Sequence, residues 1–329
     1  MRPADVASRV GAFVLVAVVV AAAVVGSGMV ASDGATAGES FSVEELTVDG
    51  HSNVDAASQP AEDGEVELSS STSGKVVVVD EAHGNGFDEV QVRPLVNALT
   101  ENGHEVQFYQ PDRGPSGEAL NASLRDADAF VSLAPDSRYT PGEAESVEAF
   151  LDAGGRVLAA GEPEGSGLGV SILGLAMASG GSGTTAEFSP ALSPHGLTVG
   201  SGYLYDMTEN LNNHANVYAS PSADSDLTAG VGEVVVHEAT PVTGGDVLLR
   251  TAASSELSTS RDAGEYGVLT RSGNLAVLGD ASILDPDWVT VADNEALVGN
   301  LLDYLVTGDR EPMLETSGSQ SGTGPAPRP

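Results

Sequence analysis

The sequence lacks cysteine and is nearly without lysine. Its 329 residues include no Cys, one Trp and only 13 Lys and Arg together, of which Lys75 is the single lysine. Without thiols the chain has no disulfides, no thiolate zinc site and no cysteine nucleophile. The shortage of basic residues argues against binding of a nucleic-acid backbone, which requires clustered Lys and Arg.

The charge is strongly negative. The chain carries 48 Asp and Glu and has a formal net charge of −35. These acids are spread along the whole sequence, whereas an acidic interaction tail, the alternative interpretation, would hold them in one block. Such a composition favours a protein that works in very high salt, where the screening length falls to about 3 Å at 1 M. We therefore expect a halophilic archaeal source.

One long run is uncharged. Residues 10–30 read VGAFVLVAVVVAAAVVGSGMV, which is long enough to cross a bilayer as a helix. Arg2 and Arg9 precede it, and residues 32–74 contain ten acids and no basic residue. The positive-inside rule therefore predicts that residues 1–9 are cytoplasmic and that the rest lies outside. The alternative is a signal peptide cleaved near residues 26–31, which gives a secreted protein.

The remaining sequence divides into a stalk, one domain and a tail. Residues 31–74 are acidic and rich in Ser and Gly, which predicts a disordered stalk, although residues 41–48 and 66–68 are short apolar pieces that could add a strand. Residues 311–329 read as a disordered tail. The folded domain is predicted to span residues 75–310.

This domain begins as an alternation of strands and helices. Residues 75–80 (KVVVVD) form an apolar run typical of a strand that is buried on both faces. Thr140, Pro141 and Glu143 form a helix-starting capping box. The order predicts an α/β fold of the flavodoxin-like type, with a mainly parallel sheet and helices on both faces. The predicted strands are 75–80, 104–109, 127–134, 156–161, 231–237, 247–251, 266–270 and 275–278, and the last helix is 293–306.

Polar side chains follow several of these strands. In an open parallel sheet, ligands bind at the carboxyl ends of the strands. One hypothesis is that the side chains there converge on a divalent cation or a hydroxylated ligand, with Asp80 and His83 as the metal ligands. The alternative is that a chain with 48 acids places acids in its loops in any case. The candidate rim residues are Asp80, Glu81, His83, Asn85, Asp136, Glu162, Asp280 and Ser282.

Other motifs point less clearly to chemistry. The sequence has no GxSxG elbow, so a serine hydrolase is not expected. Residues 165–169 (GSGLG) fit a flexible turn better than a phosphate loop, because they follow the wrong strand and lack a lysine. Asn121 heads the one N-glycosylation sequon. Residues 203–216 combine Tyr, Asn and His, which suits either a binding loop or a tyrosine-lined edge of the core.

Four segments together resemble a known family. They are KVVVVDEAHGNGF, YTPGEAESVEAFLDAGGRVLAAGEP, SGYLYDM and LAVLGDASIL. Between residues 75 and 308 the chain resembles an uncharacterised haloarchaeal family of membrane-anchored proteins whose domain is similar to class I glutamine amidotransferases. Related domains accompany gliding-motility and ABC-transporter auxiliary proteins. True amidotransferases of this fold place a cysteine near the position of Gly161 and Glu162, so the resemblance implies the fold without glutamine hydrolysis.

Two functions follow as expectations. The first is a non-catalytic, membrane-anchored domain outside the cell, which binds a partner protein, a transporter component or a surface glycan. The second is a metal-assisted hydrolase that uses His83 and the strand-end carboxylates, with a bound water as nucleophile. No cofactor is required by the first, and a divalent cation is required by the second.

Overall fold

A computed structural model describes residues 64–163 and 185–311. Strands and helices alternate in the first half, whereas strands dominate the second. The strands are β1 (Val76–Asp80), β2 (Glu105–Tyr109), β3 (Ala129–Leu133), β4 (Arg156–Ala160), β5 (Thr198–Val199), β6 (Leu204–Tyr205), β7 (Asn216–Pro221), β8 (Val234–His237), β9 (Val242–Thr243), β10 (Asp246–Thr251), β11 (Glu256–Leu257), β12 (Gly267–Ser272) and β13 (Leu275–Leu278). The helices are α1 (Arg93–Glu101), α2 (Gly117–Leu124), α3 (Pro141–Asp152), α4 (Ser189–Leu192) and α5 (Asn294–Val306).

The central sheet has a parallel half and an antiparallel half. Its nine strands run in the order β2-β1-β3-β4-β13-β12-β10-β7-β8. The first five are mutually parallel, and every later neighbour pairs antiparallel. The predicted α/β sheet is therefore confirmed as a mixed one. Two small sheets, β6 with β11 and β5 with β9, lie outside it.

Helices cover both faces of the sheet, as the alternation predicted. One core cluster joins α1 and α5 to the sheet, through side chains such as Leu95 and Leu301. The second joins α2, α3 and α4 to the opposite face, through Leu120, Phe150 and Leu192. Strands β1, β3, β4 and β13 contribute to both clusters, which explains why their sequences are apolar runs rather than alternating ones.

Short sequence patterns predicted where several of these helices and strands begin and end. Thr140 caps α3 by accepting from the Glu143 amide, and the Glu143 carboxylate accepts from the Thr140 amide in return, so the capping box is present. Gly154, with φ +88°, ends that helix. Strand β7 was missed, because residues 203–216 were interpreted as one polar–aromatic segment, and the strand begins at Asn216 within it.

A glycine lets two segments cross at the carboxyl end of β13. A Cβ on Gly279 would lie 2.0 Å from the Thr240 carbonyl oxygen. The Thr240 amide donates to the Gly279 carbonyl oxygen over 2.7 Å, which ties the chain after β8 to the end of β13. This crossing brings the far edge of the sheet close to its centre, and it positions His237 beside Asp280.

Residues 64–74, which the sequence assigned to the stalk, lie along α5. The amides of Ser69 and Ser70 donate to the Asp303 carboxylate over 2.9 and 3.0 Å, and Val66 and Leu68 pack against the core. No strand forms at residues 66–68. These apolar side chains explain the contact, since the core cluster they pack against includes buried residues of α5.

The predicted transmembrane run at residues 10–30, the rest of the stalk and the tail after residue 311 lie outside the described residues, as does the turn at 165–169. Within residues 64–163 and 185–311, no helix has the length and apolarity needed to cross a bilayer.

Strand β8 forms one edge of the sheet, and an asparagine covers it. Asn294, which is fully buried at the start of α5, accepts from the Val235 amide over 3.0 Å and donates to the Val235 carbonyl oxygen over 2.9 Å. Asp293 accepts from the amides of Gly232 and Glu233. The outward-facing groups of this edge are therefore paired within the chain.

Replacing Asn294 by alanine should destabilise the fold. Asn294→Ala leaves the buried amide and carbonyl of Val235 unpaired, so we expect the free energy of unfolding to fall by about 3 kcal/mol. Asn300→Ala is the control, because Asn300 is half-buried and donates only to carbonyls of the loop before β8. Its expected loss is about 1 kcal/mol. Equal losses in denaturant titrations would show that Asn294 does not protect the edge.

Candidate functional site

The carboxyl end of β1 carries a buried polar cluster. Asp80 is the last residue of the strand and is fully buried. Its carboxylate accepts hydrogen bonds from His83, Tyr139, Ser132 and Asn85. The carboxylate therefore ties the loop after β1 to β3 and to the segment before α3.

His83 lies between two carboxylates. Its Nδ1 is 2.9 Å from Asp80 Oδ2, and its Nε2 is 3.2 Å from Glu143 Oε1. The second contact is an ion pair without the alignment of a hydrogen bond, since neither atom has a hydrogen-bond partner. The ring is only 1% exposed. Both nitrogens of the imidazole are thus occupied by side chains of the protein itself.

Tyr139 completes the enclosure of the imidazole. Its ring stacks on His83 with centroids 3.8 Å apart and an interplanar angle of 11°. Its hydroxyl donates to Asp80 and lies 3.1 Å from the Ser132 hydroxyl. Burial raises the pKa of Tyr139 well above its usual 10.0, and the Asp80 charge adds to that rise, so the hydroxyl stays a donor.

The Glu143 carboxylate contacts both the first turn of α3 and the His83 ring. One oxygen accepts from the Thr140 amide and hydroxyl at the start of α3, while the other faces His83. The capping box was predicted from the sequence, but the second contact was not. A fully buried glutamate is unusual unless it is paired. The sequence gives no sign of that burial, because helix caps are ordinarily exposed.

The pKa of His83 is raised above 6.5. Burial alone would lower it, but the hydrogen bond and the charge of Asp80, together with the charge of Glu143, outweigh burial. The charged imidazolium is therefore favoured between the two carboxylates. We call this arrangement of Asp80, His83, Ser132, Tyr139 and Glu143 the β1 cluster.

A second cluster lies at the ends of β4 and β13. The Ser282 amide is 2.8 Å from both Glu162 Oε1 and Asp280 Oδ1, so the two carboxylates share one donor. Asp280 also accepts from the His237 amide over 2.7 Å. Burial raises the pKa of Asp280, and the bonds from Ser282 and His237 partly offset the rise. We call Glu162, Asp280, Ser282 and His237 the β13 cluster.

His237 is a member that the rim prediction did not contain. Its ring stacks on Trp288 with centroids 4.7 Å apart, and its Nδ1 lies 2.7 Å from Asn216 Oδ1. Glu238, the next residue, has a φ of +48°. Such a left-handed conformation costs about 1 kcal/mol for a residue other than glycine. Only the chain crossing at Gly279 brings His237 here, so strand order alone could not predict it.

The predicted rim residues thus divide into two clusters rather than one. Strands β1 and β13 are three places apart in the sheet, which corresponds to about 14 Å. Asp80, His83 and Asn85 belong to the β1 side, with Asp136 joined to them only through its amide, which donates to the His83 carbonyl. Glu81 is half-buried and follows β1 directly. Within the described residues, no three His, Asp or Glu side chains form a metal-holding group.

Asn121, the predicted glycosylation site, lies in α2 and is half-buried. The tyrosines of the polar–aromatic segment flank Leu204, whose amide donates to the Ala239 carbonyl oxygen. Tyr203, Tyr205 and His214 have neighbouring ring centroids 6.3 and 6.1 Å apart. Tyr205 donates to Glu256 over 2.5 Å, and Met207 between them is 69% exposed. This segment therefore presents one exposed apolar side chain beside two half-buried tyrosines.

Chemically, the β1 cluster can hold three chain segments together through charge. Removing its cation should be costly, because the two buried carboxylates would face each other unpaired. We expect His83→Gln to lower the free energy of unfolding by about 3 kcal/mol at pH 6. His195→Gln is the control, since its pair with Glu148 is partly exposed and worth under about 1 kcal/mol.

The effect should depend on pH in one direction. A raised folded-state pKa means that the stabilisation is complete below pH 6.5 and is lost as the pH rises through the folded-state value. The difference between wild type and His83→Gln in urea titrations should therefore shrink towards alkaline pH. A difference that stays constant or grows would contradict a charged His83.

Comparison with known proteins supports the fold and identifies the family. A solved structure described as "mmIFT52 N-terminal domain" is similar at 15% identity with a TM-score of 0.55, over 71% of this chain and 99% of that one. At that identity the likeness concerns the fold alone. A putative ThuA-like protein from Bacteroides uniformis is similar at 12% identity with a TM-score of 0.40, over 74% of this chain and 93% of that one.

No curated protein sequence matches the chain. The family model described as "Domain of unknown function (DUF4350)" matches residues 91–302, which run from two residues before α1 to within α5. The match covers more than half of the chain and most of the elements described above. The chain therefore belongs to the DUF4350 family.

Proposed function

We propose that this chain is a membrane-anchored domain outside the cell of a halophilic archaeon, where it acts by binding a partner rather than by catalysis. The partner is a component of an envelope complex, such as an ABC transporter, or a surface glycan. The observation that carries the proposal is the β1 cluster, in which the histidine most suited to catalysis is enclosed. The anchor, the acidity and the amidotransferase-like resemblance of the sequence support the same function.

The enclosure of His83 favours binding over hydrolysis. A metal-assisted hydrolase needs an imidazole nitrogen or a carboxylate that faces a cation or a water. In the β1 cluster one nitrogen of His83 faces Asp80 and the other faces Glu143, and Tyr139 covers the ring. The polar atoms of these side chains thus face one another, and their effect is to fix the loops at this end of the sheet.

The segment around Tyr203, Tyr205 and the exposed Met207, called the tyrosine segment, is the surface we assign to the partner. Interfaces are enriched in Tyr, Met and other large side chains that are held rigidly and exposed. Tyr205 is held by Glu256, and the buried Asp206 accepts from the amides of Thr208 and Glu209. Met207, which lies between these fixed residues, is therefore presented on a stiff support.

A charge at position 207 should prevent partner binding. We expect Met207→Glu to reduce partner recovery about tenfold, which corresponds to about 1.4 kcal/mol. The full chain, crosslinked in native membranes at molar salt, is isolated, and the crosslinked species are quantified by mass spectrometry. Asn97→Glu, at an exposed position of α1, is the control. The proposal fails if no partner is recovered and glycan arrays at the same salt stay blank.

The outward orientation has a separate test. Because the chain has no cysteine, Ala253→Cys places a single thiol at an exposed position. We expect a membrane-impermeant maleimide to label this thiol in intact cells, since the positive-inside rule places residue 253 outside. Labelling that requires cell lysis would place the domain in the cytoplasm and overturn the proposed location.

A further inference from the structure

Strand β2 forms the other edge of the sheet, and no strand of the described residues pairs with its outward side. The Glu105 amide donates to the Lys75 carbonyl, and the Glu81 amide donates to the Tyr109 carbonyl. These two bonds fix the alternation, so that Glu105, Gln107 and Tyr109 face β1. The backbone groups of Val106 and Phe108 therefore face away from the sheet. No other described residue pairs with them.

The two edge strands, β8 and β2, differ in how their outward backbone groups are paired. At β8, the side chains of Asp293 and Asn294 cover the outward backbone groups. At β2, the strand EVQFY contains neither proline nor lysine, which are two of the usual protective devices of an edge strand. An edge strand left open in this way is a template for a further strand.

The side chains of this edge are also apolar on one face. Val106 packs partly against the core beneath α1. Phe108 is two residues away and so lies on the same face of the strand. Its exposed fraction is 43%, and that of Val90, just before α1, is 48%. These are two of the three large hydrophobic side chains found exposed among the described residues.

We propose that β2 pairs with β2 of a second copy of the chain, antiparallel and about a two-fold axis through Gln107. In this register Val106 of one copy pairs with Phe108 of the other, and the reverse, so each outward amide and carbonyl finds a partner. The two nine-stranded sheets then become one continuous sheet. Val106 and Phe108 cover each other across the axis.

The register is self-complementary in charge as well as in shape, which is why a second copy is favoured over an unrelated peptide. Glu105 of each copy lies opposite Tyr109 of the other, so no two acids of the strand meet directly. The overall repulsion between two chains of charge −35 remains. Because molar salt reduces the screening length to about 3 Å, pairing should strengthen as salt is raised.

A single cysteine at position 107 tests the proposed two-fold axis directly. At the centre of the register, the two copies of residue 107 form a non-hydrogen-bonded pair with Cα atoms about 4.5 Å apart. That distance lies within the range for a disulfide. In the full chain, purified in detergent micelles, Gln107→Cys should therefore form a covalent dimer under mild oxidation, and more of it at molar salt. Ala253→Cys, exposed on a distant loop, is the control and should stay monomeric.

A proline at position 108 tests pairing at the edge of β2 without disturbing the fold of the single chain. The Phe108 amide faces away from β1, so Phe108→Pro removes one hydrogen bond per copy, two in the dimer, and leaves the β1 pairing intact. In the Gln107→Cys background we expect it to reduce the covalent dimer at least tenfold without changing the cooperativity of unfolding. An equal yield with and without the proline would show random collision and would overturn the proposal.

Hydrogen exchange distinguishes three states of the β2 edge: paired with a second copy, covered by another part of the same chain, or open to solvent. The amides of Val106 and Phe108 should be protected at high protein concentration and exchange faster on dilution. Protection that does not change with concentration would mean that another part of the same chain covers β2, and it would overturn the proposal. Fast exchange at every concentration would show an open edge and would overturn it too. These results are independent of the partner-binding experiment at Met207.

Discussion

An imidazolium between two buried carboxylates is the interaction on which the carboxyl end of the sheet depends. Asp80 comes from β1, His83 from the loop after it and Glu143 from the first turn of α3. Each charge would be strongly disfavoured in the interior by itself, and each is compensated by the next. Three segments that are distant in sequence therefore hold one geometry. Tyr139 and Ser132 satisfy the remaining acceptor capacity of Asp80.

This arrangement makes the rim a structural element. In an open parallel sheet the carboxyl edge usually holds the ligand, because loops with free polar groups meet there. Here the polar groups meet one another. The Ser282 amide is shared by Glu162 and Asp280, and the His237 amide is bound by Asp280. The two surfaces proposed for recognition, the tyrosine segment and the β2 edge, each present an exposed apolar side chain, Met207 and Phe108.

The two edge strands of the sheet differ in how their backbone polar groups are paired. Buried backbone groups at β8 are satisfied by a fully buried asparagine, and buried carboxylates are satisfied by histidine or amides. Within residues 64–163 and 185–311, no strand pairs with the outward groups of β2. An unsatisfied buried group costs about 1–3 kcal/mol, which is why the pairing at β8 matters for stability.

Much of the fold could be predicted from local signals. The apolar runs at residues 75–80 and 275–278 predicted β1 and β13, and the capping box at Thr140 predicted the start of α3. The last helix begins within one residue of its predicted start. Strand β7 was missed because its first residues follow a stretch rich in Asn, which resembles a loop. The antiparallel pairing in the second half of the chain could not be predicted from the positions of the strands in the sequence. It depends on which strands lie side by side in the folded sheet.

For the site, the sequence alone determined that Asp80, His83, Glu162 and Asp280 stand at strand ends, because strand ends follow from the apolar runs. Only the tertiary structure decided which of them meet. Strand order separated β1 from β13, the Gly279 crossing brought in His237, and the orientation of α3 turned a helix-capping glutamate towards a histidine 60 residues earlier. Burial and charge pairing are properties of neighbours in space, and no spacing along the chain encodes them.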